Sequence, residues 1–191
     1  MVKLGFICEG ETEKIIIESL AFKEFLSANG LQFLKAFDAT GNGNLLPANI
    51  GPMVNNLLEE GADKIFIITD LDEDTCITKT KERINAPEGI IVIVSVKKIE
   101  AWFLADSSLL SSVFKEKFIF QNPQHESDPR EVLKKLFVEK TGRGIGDSKP
   151  RFATRMITNG FLIMNAASNP NCASARYFIQ KLQLVSRGLA N

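Results

Sequence analysis

The sequence predicts an α/β protein, a mainly parallel sheet flanked by helices with a helical C-terminal portion. Two observations predict it. Four short apolar runs, "KLGFICEG", "LQFLKAF", "KIFIIT" and "IIVIVSV", alternate with helix-like segments through the first hundred residues. That βαβ alternation is the pattern of parallel strands joined by crossovers. After Val96 the strand-like runs stop and the remaining segments lean helical. We expect an α/β core over residues 1–106 and a helical portion over 107–191 packed on it, the two forming separate parts or one continuous domain. A chain of 191 residues is long enough for a sizeable core.

Taken in order, the first strand ends at Gly10. "TEKIIIESLAFKEFLSANG" reads as one helix, with Thr12 as N-cap and Glu13 in the positive first turn. Its Ile17, Ala21 and Phe25 recur every four residues, and Gly30 is a fitting stop. "LQFLKAF" is a strand and "DATGNGN" a loop, in which Gly41 and Gly43 read as a plain turn rather than a phosphate loop. "LLPANIGPMVNNLLEEG" is a helix interrupted, or begun late, by Pro47 and Pro52. "KIFIIT" is a buried strand by its β-branched content. "TCITKTKERIN" is helical with Asp74 as its cap, "APEG" is a turn, and "IIVIVSV" is the most apolar strand. Beyond it, "IEAWFLADSSLLSSVFKEKF", "PREVLKKLFVEKTG", "KPRFATRMITNG" and "ASARYFIQKLQLVSRG" read as helices. Trp102 and Phe103 are expected to pack the first of these onto the core.

Composition narrows the chemistry. Three cysteines, Cys8, Cys76 and Cys172, are far apart and in no paired motif, which argues for a reducing cytoplasm and against a disulfide framework or a zinc site. The single His125 lies in the polar "QNPQHESDP" and reads as an exposed loop residue, leaving no histidine-rich metal site and no obvious Ser-His-Asp arrangement. No apolar run reaches membrane-span length, and "VKLGFICEG" has no signal-peptide pattern. Charge is divided. Residues 1–96 hold 8 Lys and Arg against 15 Asp and Glu, a net −7, and residues 97–191 hold the reverse, a net +7. Such asymmetry fits a polyanionic partner, or two halves that neutralise each other across an interface.

In parallel sheets, functional groups gather beyond the carboxyl ends of the strands. Three of those ends are acidic: Glu9, the pair Asp70 and Asp72, and Glu100. On an extended chain Asp70 and Asp72 point the same way, and close carboxylates repel unless a cation sits between them. Oxygen-only ligands favour a hard ion, Mg²⁺ or Mn²⁺. Glu9 is read as general base, general acid or further ligand. Glu100 is read either as part of a second-metal site or as a helix-start residue suited to the dipole. Basic residues of the second half, Arg143, Lys149, Arg151, Arg155 and Arg176, are candidate phosphate contacts, several of them in the Gly-rich "TGRGIGDSKPRFATR".

A strand ending in "CEGETE" and a later one ending in "DLDED" resemble the two signature motifs of Toprim domains, which places Glu9, Asp70 and Asp72 at that family's Mg²⁺-binding acids. "KKIEAWFLAD" and "NCASARYFIQKL" resemble motifs of an uncharacterised Toprim-like group, domain of unknown function family 4276, and put Arg176 inside a motif. The resemblance implies a Toprim-like fold and a Mg²⁺-dependent, nuclease-like activity on DNA or RNA phosphodiesters. It also implies a setting in mobile-element or phage defence, beside a separate ATPase. The alternative is a catalytically silent Toprim-like module that binds nucleic acid or docks on a partner, its acids kept for folding. "DLDED" also resembles the nucleophile motif of haloacid-dehalogenase-like phosphatases. That motif, however, lies on the first strand and carries Thr or Val where this chain has Asp74.

Overall fold

The four apolar runs form strands that all pair in parallel: β1 (Val2–Cys8), β2 (Leu31–Asp38), β3 (Lys64–Asp70) and β4 (Ile91–Ser95), in the order β2-β1-β3-β4. This is a computed structural model, and it describes residues 1–189. Ten α-helices are seen among them. Four belong to the first half or to its crossovers: α1 (Glu11–Glu18), α2 (Leu20–Ala28), α3 (Pro47–Glu59) and α4 (Ile77–Ile84). Six follow β4: α5 (Glu100–Ala105), α6 (Ser107–Phe114), α7 (Pro129–Thr141), α8 (Lys149–Thr158), α9 (Ile163–Ser168) and α10 (Ala173–Ser186). The α/β class, the parallel sheet between helices and the helical C-terminal portion are as the sequence predicts.

The strands alternate with period two between two apolar layers. Leu4, Phe6, Phe66, Ile68 and Ile93 enter one cluster with α1, α2 and the C-terminal helices. Ile7, Ile65, Ile67, Val92 and Val94 enter the other, beneath α3 and α4. The first cluster draws residues from both sides of the 106/107 boundary. Phe178 of α10 lies 5.8 Å from both Phe22 and Phe66, and 5.9 Å from Trp102, ring centroid to centroid. Trp102 and Phe103 are fully buried, and the Trp102 indole donates to the Ser174 hydroxyl at 2.8 Å. In the second layer α3 comes so close to β1 that a Cβ on Gly5 would lie 2.9 Å from the buried Leu57 methyls.

Several element boundaries differ from expectation. The first predicted helix is two, because Ser19 takes an extended conformation (φ −60°, ψ 145°) and caps α2 by accepting from the Phe22 N–H. The N-cap of α1 is Gly10, not Thr12, and Thr12 is buried in the first turn. Helix α3 starts at Pro47 and continues through Pro52. Pro52 and Ala48, whose carbonyl loses its helical partner, are both exposed, so that carbonyl lies where solvent can reach. Asp106 splits the predicted "IEAWFLADSSLLSSVF" helix by capping α6, accepting from Leu109 N at 3.0 Å and, from a distant segment, Leu162 N at 3.0 Å. Asp74 does not cap α4. The N-cap there is Cys76, and Asp74 instead accepts from Arg83 at 3.1 and 3.2 Å.

Candidate functional site

The chain leaves β1 for β2 on one side and later returns to place β3 on the other side of β1. Strand order reverses there, so the crossovers diverge and open a crevice at the carboxyl ends of β1 and β3. Glu9 is the residue after β1, and Asp70 ends β3. Their side chains are fastened to the sheet. Glu9 Oε2 accepts from the Thr69 hydroxyl at 2.5 Å and from Asp70 N at 3.1 Å. Asp70 Oδ1 accepts from the Ser95 hydroxyl on β4 and from Ile99 N at 2.8 Å, at the approach to α5. Gly41, at φ +120°, closes the neighbouring loop by donating its N–H to the Glu9 carbonyl at 2.8 Å, so this N–H is not free for a phosphate. The resulting crevice, about 330 Å³, is lined by Glu9, Glu13, Asp38, Asp70, Glu100 and Lys149, among others.

Glu13 is the residue the sequence reading missed. It was read as a dipole partner in the first turn, and it does accept from Gly10 N at 3.0 Å. Yet it is buried in the first turn of α1, four residues after Glu9, and it lines the crevice with the other acids. Burial raises its pKa to about 7, with the charges of Glu9 and Glu100 adding to the effect. Burial likewise pushes the Asp70 carboxyl well up, the charge of Glu13 next and those of Glu100 and Glu9 behind it, against the Ser95 hydroxyl bond. No helical spacing joins Glu9 and Glu13, because Glu9 precedes α1 and Gly10 between them is extended; the capping contact of Glu13 on Gly10 N turns its side chain back toward the end of β1.

Glu100 starts α5, as its helix-start reading has it, but it is only 1% exposed. Both its carboxylate oxygens are buried without a hydrogen-bond partner. The nearest cation is Arg130 of α7, also buried, with Nη1 3.9 Å from Glu100 Oε1. The other end of that guanidinium donates to the Gly146 and Asp147 carbonyls at 3.0 and 2.8 Å, which ties the segment leading into α8 to the crevice wall. Arg130 was not foreseen either: thirty residues of sequence separate it from its carboxylate, and no spacing rule joins them.

Comparison with known proteins gives matches among solved structures. The C-terminal region of the Burkholderia pseudomallei OLD protein is similar at 17% identity, covering 96% of this chain and 98% of that one, with a TM-score of 0.47. The C-terminal region of the Xanthomonas campestris pv. campestris OLD protein is similar at 15% identity, covering 98% and 96%, with a TM-score of 0.38. No protein-family model matches the chain, and no curated protein matches it.

The other expected site residues are dispersed. Extension ends at Asp70: Leu71 N bonds to the Ser95 carbonyl, and Asp72 turns left-handed (φ +46°) with its N–H on the Lys97 carbonyl at 3.0 Å. Asp70 and Asp72 are therefore not a parallel pair on one extended face, and Asp72 does not line the crevice. Lys149, the first residue of α8, does line it. A cation at a helix start opposes the macrodipole, and the carboxylates across the crevice offset that. Arg151 is exposed on α8, while Arg155 donates to the Gly144 carbonyl at 3.3 Å and lies 5.0 Å over the Phe137 ring. Arg176 is engaged elsewhere, its guanidinium donating to the Asn169 carbonyl at 2.9 Å and the Ala167 carbonyl at 3.5 Å at the end of α9. His125 is exposed.

Among the described residues, no group of three His, Cys, Asp or Glu side chains is already arranged to hold one ion. The donor set nonetheless fits a hard cation. It is oxygen-only, it keeps carboxylates in a desolvated space where their charges raise one another's pKa, and Glu100 presents two buried, unpartnered oxygens.

Proposed function

We propose that the crevice is a Mg²⁺- or Mn²⁺-dependent phosphodiesterase site acting on nucleic acid, in a Toprim-like protein of the uncharacterised group that its sequence resembles. The observation that carries this is the gathering of Glu9, Glu13, Asp70 and Glu100 at the sheet's switch point, with one Lys at its lip. Asp70, Glu9, Glu13 and Glu100 form the donor set, and Asp72 stays in it on its sequence spacing alone. An ion held by these acids would supply charge neutralisation at the phosphate and a lowered pKa for water. Lys149 faces the non-bridging phosphate charge. The pKa of Glu13 near neutrality belongs to the ion-free crevice, and a bound cation would draw it down and hold Glu13 as a charged ligand. The sequence resemblance alone supports a cytoplasmic setting in mobile-element or phage defence and a separate ATPase partner.

A second reading has its own observation. Glu9 and Asp70 already accept four hydrogen bonds that join β1, β3, β4 and the start of α5. Acids that serve as clasps in this way would suit a silent nucleic-acid-binding module. Incubating the purified protein with DNA and RNA, with and without Mg²⁺ or Mn²⁺, separates the two. The enzyme reading expects metal-dependent cleavage that falls at least about a hundredfold in Glu9→Gln and in Asp70→Asn, as for loss of a group that stabilises the transition state. Cleavage left intact in both variants would remove the site assignment. Salt-sensitive binding with no cleavage under any divalent ion would establish the silent module.

A further inference from the structure

A second cavity, of about 580 Å³, lies where α6, α7 and α8 end. Its wall carries four cations, Lys115, Lys140, Arg143 and Arg155. Three helix C-termini, with Lys115, Gly142 and Asn159 at their caps, give the wall a partial negative charge that cations there offset. Two of the four are committed: Lys140 pairs with Glu116 at 2.9 Å and Glu139 at 3.3 Å, and Arg155 gives one N–H to Gly144. Lys115 and Arg143 are exposed residues of that lining and form no ion pair among the described residues. The charge left for an anion to meet is thus that of Lys115 and Arg143.

Helix α8 joins this cavity to the acidic crevice. Its first residue, Lys149, lines the crevice, and its cap, Asn159, lines the basic cavity. Ten residues of helix span about 15 Å, which at 3.4 Å per phosphate of a stacked strand is about four phosphates. Arg151 and Arg155 lie one turn apart on the same face between the two ends. We propose that the basic cavity is a remote phosphate site for the strand whose reacting bond lies in the crevice, with α8 setting the distance between them. This rests on the reading of the crevice as a phosphodiester site.

The test measures binding by fluorescence anisotropy, with Ca²⁺ as the hard ion in the crevice and across a salt series, of a single-stranded trinucleotide and a dodecanucleotide, each shown intact by gel. Wild type is compared with the full chain carrying Lys115→Gln and Arg143→Gln, both surface positions, with melting curves to show equal folding. With the ion bound the trinucleotide takes the crevice, and only the dodecanucleotide reaches on to the basic cavity. The expected result is a roughly tenfold loss for the dodecanucleotide alone, with a log–log salt slope shallower by about 1.4, two single-strand phosphates' worth. An unchanged slope, or equal losses for both lengths, would overturn the proposal. Inorganic phosphate that binds wild type but not the variant, with dodecanucleotide binding equal in the two, would assign the cavity to a free anion and also overturn it. The length-dependent loss without any metal-dependent cleavage would uphold the remote site while the nuclease reading falls. Cleavage with no length-dependent loss would do the reverse.

Discussion

At the scale of single residues, Glu13 links stability to pH. Its pKa is raised from 4.5 to about 7, so between those values the folded chain holds a proton that the unfolded chain has released. Stability is therefore greatest below the unfolded value and falls as pH rises through the window. The full loss is about 3 kcal/mol for this group alone, at 1.36 kcal/mol per unit, and the raised Asp70 acts in the same direction. Urea unfolding in EDTA should give a lower midpoint at pH 8 than at pH 5, and Glu13→Gln should be the more stable protein at pH 8. A wild-type midpoint that rises with pH would show that the acids are held charged by something other than an added cation. That Asp70 and Glu9 lie at neighbouring strand ends was legible from sequence, because a strand's end fixes where its next residue goes. The direction of Asp72 was not, because a left-handed turn, with Lys97 opposite it, cannot be read from the Asp-x-Asp spacing.

At the scale of elements, one guanidinium bridges α5, α7 and the entry to α8, beside the Lys98–Asp128 pair and the apolar packing there. Arg130 faces Glu100 and holds the Gly146 and Asp147 carbonyls, so it positions the turn from which Lys149 begins α8. Removing it strands a buried carboxylate, which typically costs about 3–5 kcal/mol. Arg130→Met should therefore be destabilised by about that much at pH 8, and adding Glu100→Gln should restore a large part of the loss. Strictly additive losses in the double variant, measured by chemical denaturation, would mean that the two groups do not interact. The elements themselves were mostly readable: β-branched runs named the strands, and Gly30 and Gly142, both at positive φ, named helix ends. What was hidden were the breaks at Ser19 and Asp106 and the short α9. The Ser19 cap is local, to Phe22 N, but a single Ser inside a continuous apolar period does not announce it, whereas Asp106 is fixed by Leu162 and Asn165 from 56 and 59 residues away.

At the scale of the whole molecule, the two halves of the sequence share one apolar layer. The face of the sheet carrying Leu4, Phe6, Phe66 and Ile68 is covered partly by α1 and α2 and partly by residues beyond 106: Phe137, Phe152, Phe178 and Leu182 are fully buried in the same cluster. Phe178 bridges the parts directly, being in aromatic contact with Phe22, Phe66 and Trp102 at once. Losing these four side chains alone would remove on the order of 1.5–3 kcal/mol of burial apiece, comparable in sum to the whole stability of an ordinary domain. Residues 1–106 produced without the remainder should thus lack a cooperative thermal transition and bind a hydrophobic dye, whereas the full chain unfolds in a single step. The opposite charges of the halves would then sit across a shared core, and acid crevice and basic cavity would be fixed relative to each other by α8. A cooperative melt of 1–106 alone would show instead that the sheet is covered without its C-terminal helices. The crevice would then belong to an autonomous core, with Lys149 and Arg130 supplied by a separable part.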